Sequence, residues 1–83
     1  MPTAIFANNL PINMRPEAYD AAVRQGLKAR YSEYRAQIIS DSEHHSVEVR
    51  IESEKGQVWS RIFRGLEVSP ENIQQTIEQS NIP

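Results

Sequence analysis

SVEVRIESEKGQVWSRIFR, from Ser46 to Arg64, decides the fold, because only this stretch combines sustained alternation with a hairpin signal. Val47, Val49 and Ile51 interleave with Glu48, Arg50 and Glu52, the period of two expected of a strand with one buried face. Lys55-Gly56 reads as a two-residue turn in which glycine supplies the positive φ, so Glu54 faces Gln57 and the later pairs follow. In that register Val47, Val49, Ile51 and Ser53 share a face with Arg64, Ile62, Ser60 and Val58. Glu48, Arg50 and Glu52 lie opposite Phe63, Arg61 and Trp59 on the other face, which makes it an aromatic and arginine surface. A three-residue loop with a bulge shifts the pairing by one, turns Trp59 and Phe63 toward the valines and points Arg61 inward. Burying a guanidinium without a partner costs a large share of a small domain's stability, which favours the first register.

Outward from the hairpin, Tyr34–Ser40 ends in Ile38-Ile39 and runs into the polar loop Asp41-Ser42-Glu43-His44-His45, so it reads as a further strand. Before it, Tyr19, Ala22, Val23, Leu27 and Tyr31 mark one stripe of a helix from Pro16 to about Tyr31. Proline at the first helical position with Glu17 beside it suits a helix start, and Gly26 within the helix implies close approach to the sheet or simple tolerance. The last helix is well marked, with Ser69 as N-cap, Pro70 at the first position, Glu71 at the positive end of the dipole, and Val68 and Ile73 placed as a staple. Thr3–Ala7 supplies a candidate edge strand ahead of the Asn8-Asn9-Leu10-Pro11 turn.

The expected fold is therefore α+β, a small antiparallel sheet of three strands with a candidate fourth short N-terminal edge strand and two helices on one face. Its order is (β)-α-β-β-β-α, in a single domain over residues 1–83 with 1–14 partly irregular and a frayed tail at 81–83. The helix, three strands, helix order is similar to that of double-stranded RNA-binding domains. Their second helix begins with lysines for phosphate contact, where this chain has Ser69-Pro70-Glu71-Asn72, so the likeness is one of topology and implies no function.

A chain of 83 residues has a thin core, so burial against a partner would add to it. The formal charge of −2 gives no bulk attraction to nucleic acid or an anionic membrane, although seven of the nine basic residues are arginine, the type suited to bidentate recognition. The absence of cysteine excludes disulfides, thiol catalysis and thiolate metal sites. No apolar run approaches a membrane span, and Met1–Asn9 lacks the pattern of a signal peptide, so the cytoplasm is the expected compartment.

Glu48, Glu52 and Glu54 could serve acid/base work, but they read more simply as a solvated strand face paired with arginines. Asp41, Glu43, His44 and His45 are metal-ligand types without a coordinating spacing, and they read as a polar loop. Tyr19, Tyr31 and Tyr34 read as core aromatics. The remaining constellation is Trp59, Phe63, Arg61 and Arg50, residue types enriched at interface hot spots. The expected function is a small non-enzymatic protein-binding or regulatory module acting through that sheet face on another protein or as a homodimer. No cofactor, metal or membrane is implied. The alternative is a nucleic-acid-binding domain using Arg24, Lys28, Arg35 and Arg61, a basic set interrupted by Glu17, Asp20 and Glu33.

Overall fold

The computed structural model describes residues 4–28, 33–41, 43–80 and 82. Its elements are β1 (Ala4–Asn8), a 3-10 turn (Ile12–Met14), α1 (Pro16–Leu27), β2 (Arg35–Asp41), β3 (Ser46–Ser53), β4 (Gly56–Arg64), a second 3-10 turn (Gly65–Glu67) and α2 (Pro70–Gln79). The strands form one sheet in the order β1-β2-β3-β4. The three-strand antiparallel core of the sheet and the two helices are as the alternation implies, and the candidate N-terminal strand is real. It pairs parallel to β2, with α1 as the crossover between them.

One face of the sheet carries the core. Ala36 and Ile38 of β2, Val47, Val49 and Ile51 of β3, and Phe63 of β4 are buried with Tyr19, Val23 and Leu27 of α1 and Ile73 and Ile77 of α2. Alternation along β3 decides this arrangement, since each of its three apolar residues is buried between residues that are not. Burial raises the Tyr19 hydroxyl above its ordinary pKa, and the Glu71 carboxylate adds to the shift.

Local chemistry fixes the ends of the elements. Ser69 Oγ accepts the Asn72 N–H at 3.1 Å, the expected N-cap of α2. The α1 helix stops at Leu27, short of the expected extent, with Lys28 at φ 57° donating its backbone N–H to the Arg24 and Gln25 carbonyls; Tyr31 lies outside the described residues. Gly26 makes its close approach to α2, not to the sheet. A Cβ there would fall 2.8 Å from Ile77 Cβ, so the glycine sets the spacing of the helix pair. Asn8 Nδ2 donates to the Pro16 carbonyl at 3.0 Å, and Asn9 Oδ1 accepts the Ser40 N–H at 2.6 Å, which ties the N-terminal segment to α1 and β2. Ile82, in the tail expected to fray, is buried in the core cluster.

Candidate interaction site

The hairpin adopts the shifted register, and the reading from a Lys55-Gly56 turn is corrected. The turn residues are Glu54 and Lys55; Ser53 pairs with Gly56 and Glu52 with Gln57, and a bulge at Val58 then brings Ile51 opposite Trp59, Val49 opposite Arg61 and Val47 opposite Phe63. Glycine is required at position 56, whose φ is 110°. The electrostatic objection to this register does not arise, because β4 is the outermost strand. Arg61 lies on the core side of the sheet yet remains exposed, its Cζ 5.8 Å from the centroid of the Phe63 ring, within cation–π reach.

The aromatic and arginine face therefore divides. Phe63 is 1% exposed and belongs to the core, and Trp59 is half-buried against it. Arg50 is on the opposite face, where its Nε donates to Glu48 Oε2 at 3.0 Å; that hydrogen bond and the nearby charge hold the guanidinium pKa above its ordinary value. Arg35 reaches Glu52 at 3.4 Å on the same open face. The open face is thus a lattice of ion pairs, with Ile39 and Ile62 on either side of Glu48. The four basic residues of the nucleic-acid reading do not form one strip: Arg24 is on α1 and Lys28 is its C-cap, Arg35 is on the open sheet face, and Arg61 is on the other.

Along β4 a different feature emerges. The Gly65 N–H donates to the His45 carbonyl at 3.3 Å, so in this continuous register Phe63, Arg61 and Trp59 direct their backbone groups at β3. Ser60, Ile62 and Arg64 direct theirs away from it. The Arg64 N–H is taken by Glu67 Oε1 at 3.1 Å, which closes one end of the edge. Among the described residues no strand lies beyond β4, and Ile62 is 46% exposed there. Ser60 and Ile62 were not legible as site residues, because only the register and the edge position give them this role.

The second surface is at the other end of the hairpin. A cleft of about 450 Å³ runs between the two 3-10 turns, lined by Pro11, Met14, Val47 and Val68 with Asp41 and His45 at its polar side. Ile12 and Leu66, 90% and 103% exposed, stand on the turns that wall it. In the adjoining loop Asp41 Oδ2 meets His44 Nδ1 at 2.7 Å, and this contact with His44 holds the Asp41 carboxyl below its ordinary pKa. Among the described residues no group of three or more potential metal ligands converges, and no helix is long and apolar enough to cross a membrane. Comparison of the chain with protein-family models, with curated proteins and with solved structures found no match.

Proposed function

We propose that this chain is a non-enzymatic protein-binding module that takes an extended polypeptide onto the free edge of β4. The observation that carries the reading is the edge itself: a nine-residue strand with one neighbour among the described residues, on which Ser60 and Ile62 turn their backbone groups outward. Strand addition supplies affinity through those groups and specificity through side chains flanking them, here the half-buried Trp59 and exposed Arg61 on one side and Ile62 on the other. The edge has no lysine or proline from Gly56 to Arg64, and its protection is confined to the bulge at Val58 and the core-side Arg61, with Ser60 and Ile62 open on either side of Arg61. The acids of β3 that would serve catalysis, Glu48 and Glu52, are engaged by Arg50 and Arg35 on the open face.

Ser60→Pro tests this directly. The Ser60 N–H points away from β3, so proline removes an edge donor while the β3–β4 ladder keeps its hydrogen bonds. A displayed library of random peptides is panned against the dilute wild-type chain and against the variant, whose fold is checked by circular dichroism. Enrichment on the wild type that the folded variant loses is expected. Equal enrichment on both would overturn strand addition.

A further inference from the structure

Resting on the strand-addition reading, we infer that the occupant of the β4 edge is a second copy of this chain, paired antiparallel about a two-fold axis at Ser60. A two-fold axis perpendicular to the sheet must pass through one residue position, because only then do facing residues share a side of the sheet. The residues of β4 select among the positions. An axis at Arg61 opposes that guanidinium to its own copy on a strand that has no acidic residue from Gly56 to Arg64. An axis at Ile62 needs the Arg64 N–H, which Glu67 already holds. An axis at Trp59 centres the pairing next to the bulge at Val58, where the ladder is interrupted.

An axis at Ser60 keeps its central pair clear of all three; the bulge at Val58 enters only at the next hydrogen-bonded pair, opposite the partner's Ile62. The outward N–H and C=O of Ser60 bond to those of the partner's Ser60. Arg61 comes opposite the partner's Trp59, and the symmetry repeats the contact, so each half-buried indole is covered by a guanidinium. Arg64, closed by Glu67, falls beyond the central pairs. The result is one eight-stranded sheet, four strands from each copy, with all the helices on one side.

Because the chain has no cysteine, single substitutions report the register. Facing residues of a hydrogen-bonded antiparallel pair have Cα atoms about 5.5 Å apart, within disulfide range. Sedimentation of the wild-type chain over the whole soluble concentration range is expected to give a dimer. Ser60→Cys is expected to cross-link on mild oxidation at least about tenfold faster than Ile62→Cys, Arg61→Cys or Arg50→Cys, since no other position meets its own copy. Arg61→Ala, folded by circular dichroism, is expected to weaken the dimer about tenfold or more because two contacts are lost. A monomer at every concentration, or a dimer that cross-links fastest at another position, overturns the inference. If the chain stays monomeric while displayed peptides still require Ser60, strand addition stands and self-pairing falls; if peptide capture fails as well, both fall.

Discussion

β3 and β4 are two arms of one hairpin, of eight and nine residues, and both are rich in apolar side chains, yet their burial differs sharply. Val47, Val49 and Ile51 are all at most 2% exposed, whereas on β4 only Phe63 is buried to that degree. The difference follows from neighbours among the described residues: β3 has a strand on each side and both helices above, while β4 has a strand on one side only. Apolar character alone therefore does not assign a residue to the core. Position in the sheet decides which apolar residue stabilises the fold and which remains available to a second chain.

Truncation should expose that asymmetry most strongly. Ile51→Ala and Phe63→Ala each leave a cavity beneath the helices, at a cost of about 2–5 kcal/mol, while Ile62→Ala, 46% exposed, should cost less than about 1 kcal/mol. A domain of this size has total stability of only about 4–12 kcal/mol, so either core variant should shift the urea midpoint far down. Equal midpoints for Ile51→Ala and Ile62→Ala would abolish the distinction between the strands.

Trp59 lies between these extremes. It packs partly on the core from the edge strand, so Trp59→Ala should cost about 1–3 kcal/mol, less than Phe63→Ala, and leave a folded chain. Urea midpoints measured at two protein concentrations check the assignment. A loss as large as that of Phe63→Ala, unchanged by concentration, would make Trp59 an ordinary core residue.

The same contrast explains what could be read from the chain. The β3 alternation, the stripe Tyr19, Val23 and Leu27 and the Ser69-Pro70-Glu71 helix start were legible, because each is a local pattern that the fold uses unchanged. The register of β4 was not, because the bulge at Val58 and the turn at Glu54-Lys55 move every later pair by one. Pointing to the core side costs the Arg61 guanidinium little, because its strand is the last of the sheet among the described residues and solvent lies beside it. The Ile12 and Leu66 surface was equally hidden, since it forms only when two distant 3-10 turns are brought to one end of the sheet.

The smallest expected effect separates the two turns that enclose β3. Before the strand, the Asp41 carboxylate accepts the Glu43 N–H at 3.1 Å, the His44 N–H at 3.3 Å and the His44 ring; after it, the Ser53 hydroxyl accepts the Lys55 N–H at 3.2 Å. Only the first has a carboxyl among these contacts. Its pKa is lowered in the folded chain, so the contribution of these contacts is complete above the ordinary carboxylate range and disappears as the pH falls through the lowered value. Acidification should therefore move the amide resonances of Glu43 and His44 together, with a midpoint below that of an unperturbed aspartate, while Lys55 stays in place. Replacing Asp41 by asparagine should remove the titration and leave β3 and β4 paired, because both the carboxylate and the His44 ring are largely exposed and the strands are held by their own ladder. A Lys55 amide that followed the same titration would mean that the two turns are coupled through β3, and the loop before the strand would then belong to the hairpin's cooperative unit.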